Sequence, residues 1–418
     1  MKWFCIWLVL FAGSQVCGAA ARVLVEWNTA MLEAVQLLTP SPCLTSRNLA
    51  LIHLAAFDAA NAVEGGYEPY LDIDPPEPGT DAALALLGAV SAGARAHFPA
   101  SRASFDVLFR AHRERLSSGV SATVADASVA YGEAVARAHI NARADDGATT
   151  TVTYRPVDAI GKWRRTAPRF RPPEVPHWPM VRPFAVPDAS AFRPPPPPAP
   201  GSPEYAVAWE EVRRLGARVS AERTSEQTET AEFWSCFSYT STPAGHWNEI
   251  GARIALAEDM PLLETARLLA LVNAAMADAG IACWDVKYHY GFWRPIQAIR
   301  LADRDGNPAT TADPEWDSLL EAPPHPCYVS GHAAFSGAGS RMLGHILGTD
   351  EYTFTTTSSS LPGVERTYRS FSECTDEICM SRVYGGIHFR FSNDAGRVIG
   401  ESVADVVHTA ILRPPVRR

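Results

Sequence analysis

Between residues 155 and 203 the chain places 15 of its 33 prolines, five of them in the unbroken run 194–198. Proline lacks a backbone N–H and clashes with the preceding turn, so no helix can propagate through this stretch. On either side, apolar residues recur at helical spacing: through 48–63, 82–98, 105–116 and 124–142 before it, and 204–219, 247–257 and 262–284 after it. Strand-like alternation is nearly absent. The pattern predicts an all-α fold in which long helices bundle and cover one another. Thr45 or Ser46 is placed to open the first helix, Pro99 follows the second, and Ser202-Pro203 opens the fifth. The alanine-rich face at 82–85 allows close helix contact.

The proline-rich stretch itself reads in two ways. It is either a mobile linker between two helical parts or a strap laid across one compact unit. Trp163, Phe170, Trp178, Phe184 and Phe192 lie within it, and aromatics at that density favour the strap. A second irregular stretch, 349–370, reads as a long surface loop. The expected organisation is a signal peptide at 1–21, an N-terminal helical region at 22–154, the strap at 155–203, a C-terminal helical region at 204–412 and a tail at 413–418.

Lys2, the apolar run 3–11 and the small residues Gly18, Ala19, Ala20 and Ala21 have the order of a secretory signal peptide. An apolar run that short does not span a bilayer, and no later stretch reaches transmembrane length without charges. A secreted protein with no membrane span is expected. Removal of residues 1–21 leaves Cys43, Cys236, Cys283, Cys327, Cys374 and Cys379, which an oxidising compartment lets pair; Cys374 and Cys379 form the local candidate. With 37 Lys and Arg against 46 Asp and Glu the formal charge is −9, which argues against a general nucleic-acid binder. An anion site must therefore be a local gathering of cations.

Three pieces in the C-terminal half can supply one. Lys287 and Arg294 are seven residues apart, so on a helix they return to one face two turns apart. Pro295 follows, which places Arg294 where that helix ends. At Ser330-Gly331-His332, proline-ruled chain meets a helix start, where free N–H groups and the dipole favour an anion and Gly331 allows close approach. Ser330 can cap that helix or donate to the anion, and His332 points at it from the first turn. In the third piece, Arg382 and His388 would diverge on an unbroken helix, and the Gly385-Gly386 pair can swing His388 back.

This order resembles the signature of the vanadium-dependent haloperoxidase and type 2 phosphatidic acid phosphatase superfamily. That signature reads Lys, six residues, Arg-Pro; then Pro-Ser-Gly-His; then Ser-Arg, five residues, His, three residues, Asp. Here Val329 takes the place of the second element's proline, and Ser392 that of the final Asp, with Asp394 the nearest acid. Trp27-Asn28, Arg47-Asn48, Gly245-His246-Trp247-Asn248 and the proline-rich strap are similar to the soluble haloperoxidase-related branch.

The resemblance implies a helical bundle of that type and a vanadate cofactor, with no haem. It implies that Lys287, Arg294, Arg382, Ser330 and Gly331 hold the oxyanion, that His388 ligates vanadium, and that His332 acts as acid–base. Hydrogen peroxide and halide are the implied partners and hypohalous acid the product. His325, five residues before Ser330, resembles the bromoperoxidase choice at a position that tunes the halide. The same residues imply a second reaction on phosphate, in which His388 forms a phosphohistidine and His332 protonates the leaving group. A non-catalytic oxyanion-binding protein is the third reading. Asp285 and Asp394 are the first candidates for acids that pair with an arginine or a histidine.

Overall fold

The computed structural model describes residues 4–415, with side chains described for Gly18 and from Ala20 onward. Thirteen α-helices are present among the described residues: α1 (Phe4–Leu38), α2 (Pro42–Glu64), α3 (Ala82–His97), α4 (Arg102–Leu116), α5 (Ala122–Ala142), α6 (Pro203–Leu215), α7 (Ser225–Phe233), α8 (Thr242–Ala257), α9 (Leu262–Tyr290), α10 (Pro295–Arg300), α11 (Gly331–Leu347), α12 (Phe371–Tyr384) and α13 (Arg390–Ala410). The fold is all-α, as the helical spacing predicts. The apolar run 3–11 assigned to a signal peptide lies outside the described side chains. Among the described side chains of α1, Ala20, Val23, Leu24, Trp27, Met31 and Val35 are buried.

α9 is the axis of the molecule, packed against α1, α2, α8, α11 and α13. By length and composition it could cross a membrane, yet 94% of its apolar window is buried inside the protein, so its hydropathy is that of a core helix. Small residues set the spacing of its neighbours. An added Cβ at Gly400 of α13 would lie 2.1 Å from the Ala334 carbonyl oxygen of α11, and one at Gly396 would lie 2.6 Å from that of Ser330. α3 and α5 meet as tightly, since a Cβ at Gly132 would sit 1.8 Å from the Ala85 oxygen. No residue larger than glycine fits these crossings without moving a helix.

Several boundaries differ from expectation. α2 starts at Pro42, and its cap is Ser41, whose hydroxyl accepts from the Leu44 N–H at 3.2 Å; Thr45 and Ser46 lie inside the helix. Proline in the first turn loses no bond there, which moves the start upstream of the apolar period. The stretch 349–370 contains an antiparallel hairpin, β1 (Phe354–Thr357) with β2 (Glu365–Tyr368), as well as loop. Phe354 and Tyr368 bury one face of it, while Thr355 and Thr367 pair across the other at 2.8 Å. The six cysteines among the described side chains are free thiols. Cys374 and Cys379 share α12, where five residues amount to about 140° of divergence.

The proline-rich segment lies along the C-terminal half of α9 and is fastened to it by hydrogen bonds. Asp278, wholly buried at mid-helix, accepts three consecutive N–H groups, from Phe184 (2.6 Å), Ala185 (2.8 Å) and Val186 (3.0 Å). Burial pushes its carboxyl up to about 6 against the pull of those donors. Arg143 of the loop after α5 lays its guanidinium 3.7 Å over the Phe184 ring and donates to the Pro183 carbonyl at 3.2 Å. Further along, Tyr290 and Tyr328 donate their hydroxyls to the carbonyls of Pro194 and Pro195, both at 2.8 Å. A proline run has carbonyls and no N–H, so it can be fastened only by outside donors.

Candidate active site

Lys287 lies in the last turn of α9 and is wholly buried. Its ammonium donates to the carbonyls of Pro326 (3.0 Å), Cys327 (3.4 Å) and Val329. Burial draws it down to about 8, and the nearby Arg294 adds to the fall. The expectation that Lys287 and Arg294 share one helix face is incorrect. α9 stops at Tyr290, Gly291 takes the left-handed conformation (φ 59°), and Arg294 is the N-cap residue of α10. The turn, rather than helical periodicity, brings the two cations to one place.

Arg294 is wholly buried as well. It donates to the carbonyls of His325 (2.9 Å) and Ile387 (2.8 Å), to His325 Nδ1 at 3.0 Å and to His388 Nε2 at 2.9 Å. Arg382 ends α12 and donates to Trp234 O at 2.5 Å, Ala231 O at 3.5 Å, Ser235 O at 3.5 Å and His332 Nε2 at 3.3 Å. Those carbonyls belong to the C-terminal end of α7, the negative end of its dipole. Burial brings both guanidiniums down to about 10, so they stay charged at neutral pH.

Ser330 caps α11, and its own N–H donates to Ser392 O at 2.9 Å, which ties the cap to the first turn of α13. The N–H groups of Gly331 and His332 have no hydrogen-bond partner among the described residues. α12 ends at Tyr384, Gly386 has φ 74°, and the His388 N–H returns to the Arg382 carbonyl at 3.3 Å. His388 Nδ1 is 3.1 Å from Ser392 Oγ and 3.3 Å from Cys327 Sγ. The Ser392 hydroxyl donates its own hydrogen to Cys327 O at 2.9 Å, so it accepts from Nδ1–H. That assignment leaves Nε2 unprotonated; here its lone pair accepts from Arg294, and a ligand or nucleophile role requires that hydrogen bond to give way.

Burial holds His325, His332 and His388 well below the ordinary histidine range, assisted by Lys287 and Arg294 at the first and by Arg382 at the second. Arg294 and Lys287 contribute the same push at His388. All three are neutral at pH 7 when the site carries no anion. The site thus gathers three buried cations, none in an ion pair with a carboxylate among the described residues. Charge buried without a counter-charge is costly, so this cluster calls for a small, highly charged anion. Asp285 and Asp394 do not provide one: Asp285 pairs with Arg193 of the strap at 2.5 Å, and Asp394 sits beside Arg390.

The cluster opens into a cavity of about 540 Å³. His325, Gly331, His332 and His388 form its floor, Trp284, Phe335, Phe237 and Glu174 its walls, and Arg169, Arg171, Glu321 and Tyr239 its mouth. Pro40, Pro42, Pro243, Pro323, Pro324 and Cys236 are also among the lining residues. Trp284 lies tilted at 45° to His325 with centroids 4.9 Å apart, one turn before Lys287, a spacing that could have flagged it. Glu174, in the strap, carries no comparable signal.

A family model for the VCPO second helical-bundle domain matches residues 267–414, the span that carries every cation and histidine of the site. This match and the likenesses that follow support the vanadium-dependent haloperoxidase superfamily for this chain. It is 31% identical to vanadium chloroperoxidase of Curvularia inaequalis over 237 residues, an alignment covering 43% of this chain and 38% of that protein. The chain thus spans well under half the length of that relative. Among solved structures, the first bacterial vanadium-dependent iodoperoxidase superimposes with a TM-score of 0.81 at 28% identity, covering 94% of this chain and 97% of that one. A holo-type bacterial vanadium-dependent chloroperoxidase matches with a TM-score of 0.68 at 21% identity, over 88% and 92% of the two chains, and shares the fold.

Proposed function

We propose that the protein is a secreted vanadate-dependent haloperoxidase that oxidises halide with hydrogen peroxide to hypohalous acid, bromide in preference to chloride. The observation that carries this reading is the cluster of three buried, carboxylate-free cations with a neutral histidine on either side. The donor set fits vanadate: two guanidiniums, an ammonium, the Ser330 hydroxyl and the free Gly331 N–H suit a tetrahedral or trigonal-bipyramidal oxyanion. His388 Nε2 carries no proton of its own, which suits a metal ligand once the bound oxyanion draws Arg294 away from it. When bound, vanadate supplies a Lewis-acidic centre that activates peroxide toward halide attack.

The chain's own residues do the rest. Lys287, Arg294 and Arg382 take up the oxyanion's charge and orient it. His332 holds or moves a proton at Nε2, since it is neutral in the empty site and a bound anion restores its basicity. His325 and Trp284 form the wall that a halide meets, and the histidine supports the bromide preference. The N-terminal sequence supports export, which suits a protein that releases an oxidant.

The test uses protein purified without phosphate and loaded with orthovanadate. Peroxide-dependent halogenation of an activated diketone is measured with chloride, bromide and iodide, beside hydrolysis of an aryl phosphate without vanadate. Bromide oxidation is expected, with iodide at least as fast. Vanadate-inhibited hydrolysis without halide oxidation would replace this reading with a phosphatase. A His388→Ala variant that kept full activity would overturn the site assignment itself.

A further inference from the structure

The cavity falls within the ~300–1,000 Å³ that holds drug-sized ligands, which is more space than an oxyanion, peroxide and halide occupy. One carboxylate in its wall is unpaired. Glu174 is clamped through its backbone: its N–H donates to Pro324 O at 2.9 Å, and its carbonyl accepts from Trp284 Nε1 at 3.3 Å and from the Tyr288 hydroxyl at 2.6 Å. Its carboxylate has no hydrogen bond or ion pair among the described residues. The cations around it are engaged elsewhere, Arg171 with Glu321 at 3.5 Å and Lys287 and Arg294 with backbone carbonyls. A half-buried acceptor in a cavity wall, held rigidly and left unmatched, is a site for a donor.

We propose that this cavity binds the organic halogen acceptor itself, an electron-rich phenol, with Glu174 accepting the phenolic O–H and the ring lying against Trp284 and Phe237. The halogenating reagent rests on the haloperoxidase reading; the binding of the phenol does not. A ring carbon attacks the halogen of hypohalous acid, the halogen–oxygen bond breaks, and hydroxide leaves. Glu174 takes the phenolic proton as the ring attacks. It returns that proton to oxygen while the displaced ring hydrogen combines with hydroxide, giving halophenol and water.

The charges facing Glu174 suit a proton acceptor of this kind. Burial raises its carboxyl above the usual range, opposed by Arg171 from the strap, Lys287 from α9 and Arg294 from the following turn. The phenols of Tyr288 and Tyr154 stay protonated, both raised chiefly by burial.

Calorimetry of 2-naphthol binding to vanadate-free protein in sulfate tests the pocket without any turnover. Saturable one-to-one binding is expected, weakened about tenfold by Glu174→Gln, as loss of a charge-assisted hydrogen bond implies. Glu174→Asp recovers part of the loss, and Glu315→Gln, exposed and remote, leaves binding unchanged. Absence of saturable binding, or equal affinity in Glu174→Gln, overturns the proposal. So does tighter sulfate binding in Glu174→Gln with unaltered naphthol affinity, the mark of a carboxylate that merely offsets the cations. With vanadate, peroxide and bromide added, the isomer ratio of brominated phenol should differ from that of reagent hypobromite and return to it in Glu174→Gln. A wild-type ratio equal to the free reagent's overturns transfer within the cavity. Naphthol binding with no halide oxidation supports the pocket and overturns the haloperoxidase reading.

Discussion

Ser392 occupies the position where the superfamily signature carries aspartate, and its hydroxyl still accepts from His388 Nδ1 at 3.1 Å because it spends its hydrogen on Cys327 O. The imidazole is oriented by a neutral group, which makes Nε2 less basic than a carboxylate would. Ser392→Ala should lower vanadate affinity or halide oxidation about tenfold, and Ser392→Asp should raise vanadate affinity; a vanadate titration of the three proteins checks both. Lys287 gives a second prediction. Anion binding favours its charged form, which the empty site holds only below about pH 8. Affinity for sulfate, whose charge is constant in this range, should be flat below pH 8. Above it, affinity should fall roughly tenfold per pH unit until the bound-state value is reached. Arg294 and Arg382 stay charged through that window, so Lys287→Met should abolish the slope. The cations and both histidines could be read directly from residue type and spacing. Glu174 could not, because it stands 113 positions before Lys287 in a proline-rich stretch with no periodic pattern.

The glycine contacts between α11 and α13 decide where the cap of α11 sits. A methyl at Gly400 would meet Ala334 O at 2.1 Å and Ala338 N at 2.7 Å, so the helices must part. Gly400→Ala should cost about 2 kcal/mol in denaturant unfolding and weaken anion binding as well, because the same crossing fixes Ser330 against Ser392. Helices α2 to α6, α8 and α9 were readable from the sequence through recurring apolar residues, whereas α1 and α13 were not singled out. Nor was α7, being nine residues long with no such recurrence, although its C-terminal carbonyls hold Arg382. The hairpin of β1 and β2 escaped for a similar reason: two four-residue strands, FTTT and ERTY, read like loop until Phe354 packs on Tyr368 and Phe371.

The strap and α9 make one body out of the two halves of the chain. Asp278→Ala would leave three buried N–H groups unmatched and should cost about 3 kcal/mol, read from urea unfolding, with Asp278→Asn costing less because one acceptor oxygen remains. Since Glu174 rides on the same strap, the alanine variant should also loosen naphthol binding. Aromatic density announced that this segment packs; the partner, one carboxylate in the middle of an apolar helix, has no counterpart in a pattern of spacing. The lining of the cavity has a further chemical consequence. Pro40, Pro42, Pro243, Pro323 and Pro324 offer electrophilic halogen no amide hydrogen to replace, so on the proposed function this part of the lining resists hypohalous acid at its backbone. Cys236 is the thiol among the lining residues, placed on the route of an oxidant. After prolonged turnover, mass spectrometry should find Cys236 oxidised ahead of the other five thiols, and Cys236→Ser should lengthen the working life of the enzyme.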